Sequence, residues 1–234
     1  MYIFGKNVAR EKINSGEKIN KIYISDKFRD EEIFNLIKKK KIKYSIVPNK
    51  FLDNKVDGMH QGIIIDVDDV NTFDFDYIKT IDKDNPVIVM LDHLEDPHNF
   101  GAIIRTCEAL GIDGIIIPND RNVGINATVV KTSAGAIYNI PIIRVANLTS
   151  TIEKLKDIGY WIVGTDMSGE NYKEIDYNMP VCLIIGNEGK GISDIVRKNC
   201  DYIASIPMIG KINSLNASVT CGIMLAEIVY GRGK

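Results

Sequence analysis

The stretch "IPMIGKINSLNASVTCGIMLAEIV", from Ile206 to Val229, joins a strand-like stub to an apolar helical run through a cluster of small polar residues. A single capping residue satisfies free N–H groups in a helix's first turn, and Ser and Asn are favoured there. Ser214-Leu215-Asn216-Ala217-Ser218 offers more than a cap needs. The surplus marks a place where small side chains and polar edges meet something besides the helix.

Upstream of it, "VCLIIG" and "YWIVGTD" read as strands, Ser193 opens a helix, and "TIEKLKDIG" is a helix capped by Thr149 or Ser150. Further back, "PIIRV" and "GIIIP" are strands flanking a helix over "NATVVKTSAGA". "VIVMLD" is an apolar run of the kind found in buried parallel strands, followed by a helix ending at Leu110 with Gly111 as its cap. Strands alternating with helices predict an α/β domain over residues 86–234, its parallel sheet covered on both faces. The acidic, aperiodic residues 69–85, with one short helical turn, read as a linker. Residues 1–68 form a small α/β unit with a helix from Val8 to Ile13, the strand "KIYIS", the amphipathic helix "DEEIFNLIKKK" and the strands "YSIVP" and "GIIIDV".

Composition narrows the function classes. With 45% hydrophobic and 26% charged residues the chain is globular rather than disordered. Cys107, Cys182, Cys200 and Cys221 are scattered without a C-x-x-C pair, which argues against a disulfide framework or zinc site and for a reduced cytoplasm. The opening residues lack a long apolar core, and no later run approaches the roughly 20 apolar residues of a membrane span, so neither secretion nor insertion is expected. Charge is polarised. Residues 1–57 hold 14 Lys and Arg against 8 carboxylates, leaving 15 against 23 in the remainder. A basic front segment suits a polyanionic partner, although "KKKKIK" (Lys38 to Lys43) also reads as the solvated end of a helix. Lys38 to Lys41, with Arg10 and Lys12, are the candidate phosphate-tracking surface.

Open α/β sheets bind ligands beyond the C-terminal ends of their strands. Three loops there hold more glycine and polar residues than turning requires: Asp92 to Thr106, Gly186 to Ser193, and the stretch opened on above. "GNEGKGIS" lacks the glycine placement and hydroxyl of a P-loop, and its glycine spacing runs opposite to G-x-G-x-x-G. ATPase and Rossmann dehydrogenase readings both lose their support.

Together the three loops resemble the SpoU/TrmH branch of the SPOUT RNA ribose 2′-O-methyltransferases. Asn99, Gly101 and "IIRT" with Arg105 match the first family motif, Gly186 to Gly191 with Glu188 the second, and Ile206 to Met208 with Ser214 to Ser218 the third. The front segment, ending in "HQGI" (His60 to Ile63), is similar to the substrate-binding domain of RlmB-like 23S rRNA guanosine-2′-O-methyltransferases. The resemblance implies a deep C-terminal trefoil knot, S-adenosylmethionine as cofactor, RNA as substrate and a homodimer.

It also implies roles. Thr165, Gly186, Ile206, Met208 and Leu215 become cofactor-binding residues, although Ile206, Met208 and Leu215 also suit plain core packing. Asn99, Arg105, Glu188, Ser214 and Asn216 become the catalytic set. Arg105 is a phosphate and alkoxide partner rather than a base, because a guanidinium stays protonated. Asn99, Ser214 and Asn216 orient Arg105, the ribose and the loops or serve as caps, and Glu188 holds Arg105 in place or bonds backbone N–H groups of its glycine loop rather than abstracting a proton. His93 and His98 have no third ligand at metal spacing, so no metal is expected. Trp161 reads as core, and His60 and Gln61 as RNA contacts or turn formers. Methylation of rRNA leads, the same reaction on tRNA is the near rival, and a non-catalytic RNA-binding protein is the alternative of another class.

Overall fold

The structure is a computed structural model describing residues 1–16 and 18–232. It divides into two compact units, Met1–Val70 and Asn71–Lys234.

The first unit is a four-stranded mixed sheet with order β1-β4-β2-β3. Its strands are β1 (Tyr2–Phe4), β2 (Lys21–Ser25), β3 (Tyr44–Val47) and β4 (Ile63–Asp66). Helix α1 (Lys6–Ser15) packs against α2 (Glu31–Lys39). Asp30 caps α2 by accepting from Ile33 N–H, with Glu31 and Glu32 in the first turn and Lys38 and Lys39 in the last, each sign matched to the helix dipole. The short α3 (Asn49–Asp53) follows β3 and buries Leu52. Strand β1 was not expected from the sequence. Three residues cannot display a period of two, and only pairing with β4 extends them.

The second unit is a seven-stranded sheet, order β11-β9-β10-β6-β7-β8-β5, with every pairing parallel. Its strands are β5 (Thr72–Phe73), β6 (Val87–Asp92), β7 (Gly114–Pro118), β8 (Ile142–Val145), β9 (Trp161–Asn171), β10 (Val181–Gly186) and β11 (Tyr202–Ser205). The helices are α4 (Pro97–Ala109), α5 (Ala127–Thr132), α6 (Leu148–Asp157), α7 (Asp194–Lys198) and α8 (Ala217–Tyr230). All six residues of β6 and of β10 are buried, as their continuous apolar runs require between two covering layers.

Several local expectations are corrected. Asn147, not Thr149 or Ser150, caps α6 by accepting from Ser150 N–H, so the helix begins two or three residues earlier. The helix expected over "NATVVKTSAGA" stops at Thr132, because Ala134 (φ +50°) and Gly135 (φ +85°) turn left-handed before a 3-10 turn at Ala136–Tyr138. The 69–85 stretch contributes β5, paired with β8, and a 3-10 helix at Phe75–Thr80. Trp161 is 44% exposed rather than core, since it opens β9 one turn of pleat before β11 begins to pair, and it leans on Tyr202 at 5.7 Å.

Candidate active site

Parallel pairing of β10 with β6 sets Gly186 beside Asp92, so the loops leaving both strands start side by side. Buried Asp92 accepts from Ser193 N–H (2.7 Å) and Ser193 Oγ–H (2.8 Å), and its other oxygen meets His93 Nδ1. Asn187 closes its own loop by a reciprocal backbone pair with Gly191, accepts from Gly189 N–H, and donates through Nδ2 to the His93 carbonyl at 2.9 Å. Four residues thus stitch the first motif loop to the second. Asp92, Asn187 and Ser193 escaped the sequence reading as site-building groups; the only local signal was polar residues next to a strand-end glycine.

Glu188, Asn99 and Asn216 form one chain of hydrogen bonds. Asn99, 6% exposed in the first turn of α4, donates Nδ2–H to Glu188 Oε1 at 3.0 Å and accepts from Asn216 Nδ2 at 2.8 Å. Glu188 also accepts from the backbone N–H groups of Asp96 (3.2 Å) and Glu95 (3.4 Å). Burial works to raise the Glu188 pKa, but hydrogen bonds from Asn99 and from backbone N–H groups outweigh it and hold the carboxyl below its usual range. At neutral pH it is therefore a charged acceptor with its lone pairs engaged. Asn216 is at once cap and connector, since its Oδ1 accepts from Ser218 N–H at 2.8 Å while its amide reaches Asn99. All three motifs meet in this chain.

Beside it lies a cavity of about 290 Å³ between the middle of β9, the end of β10 with its following loop, the 206–215 segment and the start of α8. Thr165, Gly186, Ile206, Met208 and Leu215 all line it, as do Glu188 and Ser214. Thr165 Oγ1 donates to the Ile184 carbonyl at 3.0 Å, tying β9 to β10 at the cavity wall. Plain core packing does not describe Met208 and Leu215, which are 38% and 37% exposed. Gly186 is needed for space: a Cβ there would stand 2.2 Å from the Gly191 carbonyl carbon. Gly101 is also steric, because a Cβ would meet Thr132 Cβ at 2.5 Å where α4 crosses α5.

Arg105 is not among the cavity's lining residues. It lies on the exposed side of α4 and makes no hydrogen bond or ion pair with any other described residue. His98 sits against Thr132 Oγ1 at 3.5 Å, and among the described residues no cluster of three His, Cys, Asp or Glu is placed to hold a metal. His60 is buried, with Nε2 on Asp53 and Nδ1 accepting from Gly62 N–H, and Gln61 caps Lys6 N–H from a left-handed turn, so both build the turn. The basic surface expected in the front unit is divided. Arg10 is paired with Asp30 and Glu32, and Lys12 is buried.

The family described as SpoU rRNA Methylase matches residues 86–226, and the one described as RNA 2′-O ribose methyltransferase substrate binding matches residues 2–73. The chain belongs to the SpoU rRNA methylase family. As a SpoU family member it is an RNA ribose 2′-O-methyltransferase with a substrate-binding front unit, and its C-terminal unit has the family's knotted SPOUT fold. A Bacillus subtilis protein named as a TrmH family tRNA/rRNA methyltransferase is 42% identical over 238 residues, spanning 99% of this chain and 96% of that protein. The AdoMet-bound rRNA methyltransferase of Sinorhizobium meliloti superposes with a TM-score of 0.69 at 26% identity, covering 98% of this chain and 87% of that one. The A. aeolicus TrmH/SpoU tRNA modifying enzyme gives 0.58 at 34% identity, covering 63% and 76%. No described helix of this SpoU protein is long and apolar enough to cross a membrane.

Proposed function

We propose that this SpoU enzyme acts in the cytoplasm as an RlmB-like methyltransferase, using S-adenosylmethionine to methylate the ribose 2′-hydroxyl of a guanosine in 23S rRNA. Coverage carries the choice of rRNA. The S. meliloti rRNA methyltransferase matches 98% of the chain, both units included, whereas the tRNA modifying enzyme leaves more than a third unmatched. Incubating the protein with labelled S-adenosylmethionine and either unmodified 23S rRNA or tRNA tests this. Label is expected in 23S rRNA, and label in tRNA alone overturns the assignment.

The cavity suits that cofactor. Its volume is near the lower end of small-molecule sites, its walls combine apolar with polar side chains, and the missing Cβ of Gly186 lets the Gly191 backbone, itself part of the wall, pack close. Thr165, Gly186, Ile206, Met208 and Leu215 are the residues that would hold it. When bound, S-adenosylmethionine supplies a methyl group activated by a positively charged sulfur. Arg105, exposed and without a partner among the described residues, is placed to bind an RNA phosphate bidentately and to stabilise negative charge developing on the ribose oxygen. Glu188 and Asn99, engaged with each other and with the first turn of α4, keep that helix and the second motif loop in register. Ser214 and Asn216 set the head of α8, Ser214 on the cavity and Asn216 in the hydrogen-bonded chain.

A homodimer completes the reading. Val219, Ile223, Ala226 and Tyr230 fall on one stripe of α8 at helical spacing and stay partly exposed, while Cys221, Met224, Leu225 and Ile228 fill the core side. A helix apolar all round needs cover on both sides, and a second copy supplies it. Sedimentation as a dimer at micromolar concentration is expected; a single monomeric species removes this part of the proposal.

A further inference from the structure

Successive side chains of a strand alternate between sheet faces, so Ile3, Ile22 and Ile24 enter the core of the front unit while Tyr2 and Tyr23 face the other way. On that second face a compact cluster forms. Tyr2 and Tyr23 have ring centroids 6.3 Å apart in an edge contact, and Tyr23 and Phe51 are 5.5 Å apart. Lys55 Nζ lies 4.5 Å from the Tyr2 centroid, 5.2 Å from Tyr23 and 5.1 Å from Phe51, and donates to Tyr2 Oη at 2.9 Å. Lys21 Nζ is 5.1 Å from the Tyr23 centroid. Phe51 is 39% exposed and the other four residues are only half-buried.

Rings left at the surface beside two ammonium groups, with the single carboxylate of Asp66 close to Lys55 and opposite Lys21, are ill suited to an apolar partner, which would bury cations in excess of the neighbouring negative charge. They suit unpaired nucleotides, whose bases stack on aromatic faces while their phosphates meet the cations. The excess of Lys and Arg over carboxylates in residues 1–57 adds charge complementarity to the same partner. The lysine run at Lys38 to Lys41 has a simpler explanation: Lys38 and Lys39 complement the C-terminal dipole of α2, and Lys40 donates to the Asn14 carbonyl. We propose that Tyr2, Tyr23 and Phe51, with Lys21 and Lys55, form a platform on which an unpaired stretch of the substrate RNA stacks. The inference rests on the reading of the protein as an enzyme acting on rRNA.

The test uses the full-length enzyme and unmodified 23S rRNA transcript, with binding measured over a range of salt. Phe51→Leu keeps apolar bulk and removes the ring; affinity is expected to fall roughly tenfold, within the range for loss of one base–aromatic stack. Its melting temperature and its affinity for S-adenosylmethionine should stay at wild-type values. Lys55→Gln should flatten the slope of log affinity against log salt by about 0.7, the value for one phosphate contact on single-stranded nucleic acid. Phe51→Trp, which restores a larger stacking face, should bind at least as tightly as wild type and keeps the idea testable if Phe51→Leu folds poorly. Wild-type affinity and salt slope in both Phe51→Leu and Lys55→Gln overturn the inference. So does unchanged RNA affinity with weakened binding to precursor ribosomal particles, which would make the face a protein dock. A wild-type enzyme that binds neither 23S rRNA nor S-adenosylmethionine defeats the functional reading instead.

Discussion

Replacing Arg105 with alanine is expected to lower kcat for methyl transfer by roughly 10²–10³-fold, the loss seen when one preorganised charge-stabilising group is removed from an active site. The affinity for S-adenosylmethionine should stay within about twofold of wild type, because Arg105 is outside the cavity that would hold the cofactor. Stability should hardly move either, since the side chain is exposed and bonds to no described residue, and substitutions at such surfaces usually stay within about 0.5 kcal/mol. Single-turnover methyl transfer and calorimetric titration of the cofactor separate these effects. Arg105→Lys sharpens the test, because an ammonium keeps the charge but loses the planar fork that grips a phosphate with two parallel bonds. Full activity in Arg105→Ala would remove the guanidinium from the chemistry altogether.

Gly186→Ala should be the most damaging single change to the fold of the site. The added Cβ would stand 2.2 Å from the Gly191 carbonyl carbon and 2.3 Å from Ile192 N, and both are backbone atoms with no side chain to swing aside. The loop itself must therefore move. It is pinned by the reciprocal Asn187–Gly191 pair, by Asn187 on the His93 carbonyl and by Glu188 on Asn99, so relief of the clash breaks hydrogen bonds in both motif loops. A stability loss of about 3 kcal/mol or more is expected, at the upper end of what overpacking causes. Cofactor binding should be lost with it. Gly189→Ala is the matched control: its Cβ would meet only Asn187 Oδ1, at an ordinary 3.7 Å, so its urea midpoint should stay close to wild type. If the two variants unfold at the same urea concentration, the close approach at Gly186 is not what shapes the loop.

Much of this architecture is written locally. The runs at Val87–Asp92 and Val181–Gly186 are apolar at every residue but the last one, and their shortness and β-branched residues favour strands covered on both faces over a buried helix. The three polar loops stand out because they carry more glycine and amide groups than a turn consumes, and the five residues assigned to the cofactor all border one cavity. Trp161 shows the opposite case. Its apolar bulk argues for the core, yet the later start of the neighbouring strand leaves it open to solvent. Gly101 looks like a motif glycine, and its need is steric, set by α5 crossing α4.

The amino-acid sequence alone determined the polarised charge and most of the order of strands and helices, though not β1, α3 or β5, because periodicity, turn chemistry and composition act over a few residues at a time; the motif residues were legible through their resemblance to a known family. Tertiary structure decided what those residues touch. The bonds from Asn99 to Glu188 and from Asn216 to Asn99 span 89 and 117 residues, and the Asp92–Ser193 contact spans 101. The first and third of these bonds need the parallel pairing that sets Gly186 beside Asp92, and the second needs the head of α8 brought to the first turn of α4. A side-chain hydrogen bond is lost by a separation of about 3.6 Å, so only the folded chain could select those partners among its many polar groups.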